Sequence, residues 1–212
     1  MIVQAEDMAK AVRVAIDMNH NSTPLLADED VDTESFDEII YAKLCDAVRM
    51  VEMEAPLNLL EQGHLFGDAV TWLDGGKGWI LLPDDFMRLV VFKMSDWRYA
   101  ISEAITQDDP IYTRQFSKWK GICGNPERPV VALVNRAEGN VLEFFSCKDE
   151  TATVDQAVYV PLPKIDENGG IDVSEKCYQS AVYRAAALAL SSIGDQLATT
   201  MIELSKSMLV DS

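Results

Sequence analysis

Histidine is scarce in this sequence of 212 residues, which holds only two, His20 and His64. Neither stands in a motif that would pair it with a nucleophile or a metal, and the sequence contains no GxSxG, HExxH, GxGxxG or P-loop pattern. The GGKGW run lacks the upstream glycine and the following serine or threonine of a phosphate cradle, so it predicts a turn. We therefore expect no catalytic residue, no metal and no cofactor, and a protein that is not an enzyme.

Long apolar runs are missing as well. The longest, such as Ile80–Leu82 and Leu89–Phe92, fall far short of the ~20 residues that cross a bilayer, so no contact with a membrane is expected. The opening MIVQAEDMAK carries acids where a signal peptide carries bases, which predicts a protein that stays in a cytoplasm.

Paired cysteines are absent too, since no CxxC motif occurs. The sequence has four widely spaced cysteines: Cys45, Cys123, Cys147 and Cys177. An intracellular compartment keeps thiols reduced, so the spacing predicts packed thiols rather than disulfides or a zinc site.

Basic residues are few, because 18 lysines and arginines stand against 35 aspartates and glutamates and give a net charge of -17. This balance disfavours binding to nucleic acid through phosphate contacts. Two interpretations remain open: the charge can simply keep the protein soluble, or it can line a passage through which DNA slides without sticking. Residues 1–60 are the most acidic part, with 13 acids and 4 bases.

Helical periodicity marks both ends of the chain. Apolar residues recur at helical spacing over residues 5–18, and a capping box formed by Ser35 and Glu38 opens a second helix. Helical spacing returns after Tyr178, breaks at Gly194 and then continues to the tail.

The middle of the chain changes to a β pattern. Hairpins are expected around the turn at 74–78 and around residues 136–139, with a further strand at Arg88–Met94. Val158–Leu162 reads as an edge strand because prolines bound it, and Ala100–Thr106 as a short helix.

Together these patterns predict an α+β fold in which the N- and C-terminal helices pack as a helical bundle, with a β-rich insertion between them. Residues 1–62 would form the N-terminal helical part and residues 63–165 the β-rich insertion. Residues 166–212 would form C-terminal helices that complete the bundle.

Adjacent acids occur at Asp84–Asp85 and Asp108–Asp109. Paired carboxylates can serve general acid–base catalysis, but adjacent residues of a strand face opposite ways. Pro83 precedes the first pair, which is interpreted as capping a short turn, and Asp109–Pro110 is interpreted as a turn-initiating pair.

One basic cluster stands out, formed by Arg114, Lys118 and Lys120 beside Tyr112 and Trp119. It is interpreted as a solvated or subunit-pairing face, with nucleic-acid contact as the alternative. The aromatic residues of the middle segment lack a matching basic stripe, which indicates packing in the core or at an interface. They are Trp72, Trp79, Phe86, Phe92, Trp97 and Trp119.

The order of several segments resembles a known family. A helical unit, DEIIYAKLCDAVRMVEMEAPLNLL, precedes the run LLPDDFMRLVVFKMSDW, and the closing segment reads YQSAVYRAAALALSSIGDQLATTMIELSKSML. This order is similar to that of the head-to-tail connector adaptors of tailed phages, of the podovirus or crAss-like type, in which an LPxDFLRL strand follows a helical unit. GICGNPERP is similar to a tight turn that precedes a strand in those proteins.

The resemblance implies a ring, commonly of twelve copies, that docks on the portal protein and surrounds the path of the DNA. The ring would extend the portal channel, carry the tail or further ring proteins, and let DNA pass without specific binding. Its place would be the virion, at the junction of head and tail, after assembly in the cytoplasm of a bacterial host.

The resemblance also implies where contacts would lie. Four apolar residues of the last helix are candidates for contact with the portal or a neighbouring subunit, and an ordinary intramolecular helix is the alternative: Leu197, Met201, Leu204 and Met208. Four acids of the N-terminal third are candidates for the channel lining: Asp28, Glu29, Asp30 and Asp32.

Two alternative functions are kept. The chain can be another connector or tail-completion ring of the same virion, which sequence barely separates from an adaptor. A metal-dependent hydrolase would instead use the clustered acids Asp84, Asp85 and Asp108.

Overall fold

The structure, a computed structural model, describes residues 1–16, 36–60 and 63–210. It divides into two compact units, Met1–Glu61 with Leu162–Ser212, and Gln62–Pro161. Within the described ranges the chain forms five α-helices and ten strands in three sheets.

The expected fold class, an α+β fold with a terminal helical bundle around a β-rich insertion, was wrong. The protein is α+β, but its helices are not a terminal bundle on either side of a β-rich insertion. Both terminal segments also supply strands, Ile2–Gln4 (β1) and Gly170–Asp172 (β10), which pair antiparallel. A helix, Pro110–Arg114 (α3), lies within the mostly β middle. Strands of three residues are too short to show an alternating apolar pattern, so the sequence pattern could not predict this sheet.

Four longer helices belong to the first unit: Ala5–Ala15 (α1), Phe36–Glu54 (α2), Tyr178–Ser192 (α4) and Leu197–Val210 (α5). A 3-10 turn at Leu57–Leu59 follows α2 after Pro56, whose ring and missing N–H end the α-helix. Helix α4 presents a face of buried alanines that includes Ala181, Ala185 and Ala189. Such small side chains let α2 and α5 pack closely on α4.

Polar side chains are also buried in this unit. Arg184 on α4 is 7% exposed; its Nη2 donates to Glu54 Oε2 over 2.7 Å, and its Nε lies 3.3 Å from Ser205 Oγ. The Ser180 hydroxyl donates to the Ser205 carbonyl over 2.7 Å. These bonds fix α5 at one register on α4, because a slip would leave buried polar groups unpaired.

Glu52 on α2 is buried against the segment before α4. Both the backbone N–H and the hydroxyl of Ser174 donate to its Oε1, each over 2.8 Å. Burial raises the pKa of the Glu52 carboxyl above its ordinary value near 4.5, and the two Ser174 hydrogen bonds partly oppose that rise.

Glu52→Gln is expected to make the protein less sensitive to pH. Because the folded pKa of Glu52 lies above its unfolded value, the folded state binds this proton more tightly. The free energy of unfolding therefore falls as pH rises from the unfolded to the folded pKa. A glutamine oxygen accepts the same two bonds without a charge, so the variant should lose this fall in urea unfolding from pH 4 to pH 7. Glu203→Gln, an exposed carboxyl of the same unit, is the control; a pH profile identical to the native one would contradict the assignment.

The second unit holds two β-sheets. The three-stranded sheet has the order β2-β9-β5 and the five-stranded sheet the order β3-β4-β8-β7-β6. The first comprises His64–Leu65 (β2), Phe86–Met94 (β5) and Val154–Pro161 (β9). The second comprises Val70–Leu73 (β3), Lys77–Leu81 (β4), Ile105–Thr106 (β6), Val131–Arg136 (β7) and Gly139–Phe144 (β8).

Both predicted hairpins are confirmed, as β3–β4 and β7–β8. The helix predicted at Ala100–Thr106 was wrong, because Ile105–Thr106 pairs parallel to β7 and Ile101 bridges to Phe92. The edge position of Val158–Leu162 was also wrong. Strand β9 lies between β2 and β5 and ends at Pro161, where the missing N–H interrupts no further pairing.

The five-stranded sheet is covered on both faces. One face joins the three-stranded sheet through a buried cluster that includes Phe92, Trp97 and Phe144. The other face carries Ala132, Val134, Val141 and Phe145, packed with Tyr112. Alternate residues of β7 and β8 serve the two faces, as the period of a strand requires.

Candidate functional site

A cluster of exposed apolar side chains lies in residues 110–124, which we name the aromatic loop. It comprises α3 and a 3-10 turn at Lys120–Ile122. Trp119 is 79% exposed, Phe116 58%, Ile122 54% and Ile111 41%. Single exposed apolar residues are ordinary, but four large ones in one short segment indicate a surface that another molecule covers.

The local sequence explains how the aromatic loop starts. Asp109 caps α3, since its carboxylate accepts the N–H of Ile111 over 2.7 Å, and Pro110 occupies the first helical position. The sequence predicted that the Asp109–Pro110 pair initiates a turn, and in the structure the pair begins this short helix. The Thr113 hydroxyl donates to the Pro110 carbonyl over 3.0 Å and closes the turn.

A buried glutamine ties the two ends of the aromatic loop together. Gln115 is 1% exposed; its Nε2 donates to the Ile111 carbonyl over 2.9 Å, and its Oε1 accepts the N–H of Gly124 over 2.7 Å. Its backbone carbonyl accepts Lys77 Nζ of β4 over 2.6 Å. The backbone of the loop is thus held by hydrogen bonds within itself and to the sheet below.

An aromatic and ionic anchor fixes the loop on the sheet. The Tyr112 hydroxyl donates to Glu143 Oε2 over 3.1 Å, and Arg136 Nε and Nη2 donate to Glu143 Oε1 over 2.8 and 2.5 Å. Glu143 is only 2% exposed. Burial, followed by the nearby Glu143 carboxylate, raises the pKa of the Tyr112 phenol, so this group keeps its proton and donates.

Two rings of the loop, those of Tyr112 and Phe116, pack edge to face. Phe116 lies 5.2 Å from Tyr112 and 5.7 Å from Phe145 between ring centroids, and Lys77 Nζ lies 5.1 Å from the centre of the Phe116 ring. Phe116 is therefore held on one side while more than half of it faces solvent. Such a surface is ordered before a partner arrives, which lowers the entropic cost of binding.

The aromatic loop is positive on an acidic protein. Arg114, Lys118 and Lys120 are exposed, and none forms an ion pair with a described residue. No acid occurs between Asp109 and Glu127. The sequence pattern had already associated these bases with Tyr112 and Trp119.

The exposure of Ile111, Phe116 and Ile122, and the support from Gln115, were missed by sequence reasoning. The absence of acids over residues 110–126 of a strongly acidic chain is the signal that could have found this surface. The three bases and the four exposed apolar residues share residues 110–124, and Tyr112 in the same segment is half-buried.

The four candidate contact residues of α5 differ in exposure. Leu197 is 49% exposed, whereas Met201 is 8% exposed and belongs to the core of its own unit. Leu204 packs against the same core, and Met208 is half-buried. Four acids proposed for the channel lining lie outside the described residues: Asp28, Glu29, Asp30 and Asp32.

The three acids of the hydrolase alternative have different surroundings. Asp84 is exposed, Asp85 accepts the Tyr159 hydroxyl over 2.8 Å, and Asp108 lines a cleft of about 390 Å³ with Thr106 and other side chains. Among residues 1–16, 36–60 and 63–210, no three His, Cys, Asp or Glu side chains come together in a way that could hold a metal ion.

The cysteines are free thiols, as the spacing predicted. Burial, and next the charge of Asp96, raises the pKa of Cys147 to about 12. A thiol with that pKa stays protonated at neutral pH and is a poor nucleophile.

In the part of the chain that the structure describes, no helix combines the length and apolar character needed to cross a bilayer. Neither a known protein-family model nor a curated protein matches this chain. The aromatic loop, with its rigid support, its exposed rings and its unpaired bases, is the candidate functional surface.

Proposed function

We propose that this chain is a non-enzymatic virion protein, a ring-forming subunit of the connector between the head and the tail of a tailed phage. It docks on the portal protein, extends the DNA channel and provides the attachment platform for the tail. The ordered resemblance of its helical unit, its LPDDF strand and its closing helices to connector adaptors supports the phage assignment. The subunit is assembled in the bacterial cytoplasm and resides in the virion.

The exposed aromatic loop carries the assembly part of the proposal. Trp119 presents 79% of its surface to solvent on a backbone that Gln115 and the Tyr112–Glu143 pair already hold. Removing such a ring from water contributes about 1.5–3 kcal/mol, and tryptophan is enriched among residues that dominate binding energy. An exposed tryptophan ring on a rigid backbone fits a protein that works through contacts with other subunits.

Charge supports a channel through which DNA moves freely. With a net charge of -17, the chain lacks the excess of bases that binds phosphates, and DNA passing along it is repelled rather than held. The partners of the proposal are therefore copies of the chain itself, the portal protein, and tail or further ring proteins.

Mixing the purified chain with the portal protein of the same virus tests this function. Light scattering and negative-stain images are expected to show a ring of the chain on one end of the portal. The portal of an unrelated phage is the control and should recruit no ring. A chain that stays monomeric alone and with its own portal would contradict the proposal.

A further inference from the structure

We infer that the aromatic loop docks on an acidic surface of a second copy of this chain, in a head-to-tail contact between neighbouring subunits. The inference rests on the proposed ring-forming function and names the partner of its main surface. Trp119, Phe116 and Ile122 would supply the buried centre of the contact. Lys118 and Lys120 would supply its charged rim.

The charge distribution selects the partner. Residues 110–124 hold three bases and no acid, whereas the other residues hold 15 bases and 35 acids, a balance of 15 − 35 = −20. A second copy therefore offers the loop a surface of opposite charge almost wherever it presents one. Complementary potentials of this kind steer association and fix the register of a contact.

The same distribution opposes a contact in which the loops of two copies face each other. In a two-fold symmetric dimer built on this loop, three bases would face three bases, with Arg114, Lys118 and Lys120 of each copy brought together. None of the three has a described acidic partner in its own chain that would neutralise it. The loop must then bind a different surface of its neighbour. The proposed ring requires that this contact be heterologous, with the loop of each copy on the next copy around the ring, and a heterologous contact closes into a ring when the rotation allows it.

DNA is a poorer match for the same surface. Phosphates would satisfy the three bases, but Ile111 and Ile122, 41% and 54% exposed, would gain no apolar cover from a phosphate backbone. The remaining negative charge of the chain would also oppose the approach of a polyanion. A protein surface can cover the apolar residues and pair the bases together.

Variants of the aromatic loop test the inference with the full chain and its portal. Trp119→Ala should raise the concentration needed for ring formation by about tenfold to a hundredfold, the range for loss of a binding hot spot. The double variant Lys118→Glu with Lys120→Glu should weaken assembly more than Trp119→Ala does. It should also reduce the sensitivity of assembly to salt, because the loop no longer presents these two positive charges to the acids of the neighbouring copy. Leu65→Ala is the control, because Leu65 is 81% exposed on β2, outside the loop.

A photo-crosslinking amino acid at position 119 identifies the occupant directly. Crosslinks to acidic peptides of another copy of the chain are expected. Crosslinks between position 119 of two copies would overturn the head-to-tail geometry. Crosslinks to the portal alone or to added duplex DNA would overturn the second copy as partner.

The two proposals fail in different ways. If the native chain forms rings on its portal and Trp119→Ala forms them equally well, the docking inference is wrong and the connector function stands. If the native chain forms no ring with its portal, the connector function is wrong, and the inference falls with it. Circular dichroism of each variant, matched to the native spectrum, separates lost contact from lost folding.

Discussion

Gly76→Ala is expected to destabilise the β unit severely, by about 4 kcal/mol or more, which is the range of exceptional single substitutions. Gly76 has a φ of 74°, and a Cβ at this position would lie 2.0 Å from the backbone carbonyl oxygen of Cys147. The N–H of Cys147 also donates to the Gly76 carbonyl over 3.1 Å, so neither backbone can retreat without losing this bond. The expected cost therefore combines a strained φ with a backbone clash.

Gly75→Ala is the matched control for this prediction. Gly75 has a nearly equal φ of 77°, but nothing lies within 4 Å of a Cβ built on it. It should cost only the left-handed strain, about 1–2 kcal/mol. Urea unfolding followed by tryptophan fluorescence compares the two variants. Equal losses of stability would show that the close approach of the Cys147 carbonyl does not exist in solution.

This pair of glycines shows which features of the fold the sequence could predict. The run Gly75–Gly76 predicted a tight turn between two strands, and β3 and β4 pair around it. The difference between the two glycines comes from Cys147, which lies 71 positions further along the chain. A local sequence pattern predicts that a turn forms. It does not predict which distant segment of backbone packs against that turn.

The errors at the level of the fold have the same origin. Residues 5–15 and 36–54 are helices with clear apolar stripes, and periodicity found both. Strands β1, β6 and β10 have two or three residues each and exist only through pairing with distant partners. Such elements made the predicted arrangement of terminal helices around an insertion wrong, because tertiary pairing overrides local preference in short segments.

The sequence predicted the grouping of residues in the candidate surface but not their exposure. Arg114, Lys118 and Lys120 could be grouped with Trp119 by proximity alone. Whether Trp119 is buried or exposed could not be read from the sequence, because it depends on how Gln115 and Tyr112 hold the loop on the sheet. Burial of Gln115 is a tertiary property, since its Oε1 is satisfied by the Gly124 N–H on the far side of the loop.

The Arg136–Glu143 pair offers the second large effect. Arg136→Leu is expected to lower the free energy of unfolding of the β unit by about 2–4 kcal/mol, because it leaves the Glu143 carboxylate buried without a positive partner. The Glu143 side chain is 3% exposed, while that of Arg136 is 31% exposed. Partial access of water to the guanidinium places the cost below that of a fully buried pair.

Two controls separate this buried pair from ordinary surface charge. Arg98→Leu breaks the Arg98–Glu127 pair, in which both side chains are more than half exposed, and should leave stability almost unchanged. Adding Glu143→Gln to Arg136→Leu removes the stranded charge and should restore part of the loss. Thermal unfolding of the four proteins completes the comparison; a loss no larger for Arg136→Leu than for Arg98→Leu would contradict it.

The same variant links the anchor to assembly. Glu143 also accepts the Tyr112 hydroxyl, and Tyr112 packs against Phe116 and Phe145 beneath the exposed rings. When Arg136 is removed, Glu143 loses the partner that orients it, and Tyr112 loses a fixed acceptor. Arg136→Leu should then weaken ring formation even at temperatures where the protein stays folded, because a mobile aromatic loop must be ordered at the cost of binding energy. Unchanged assembly in a folded Arg136→Leu protein would show that Gln115 and the sheet suffice to hold the loop.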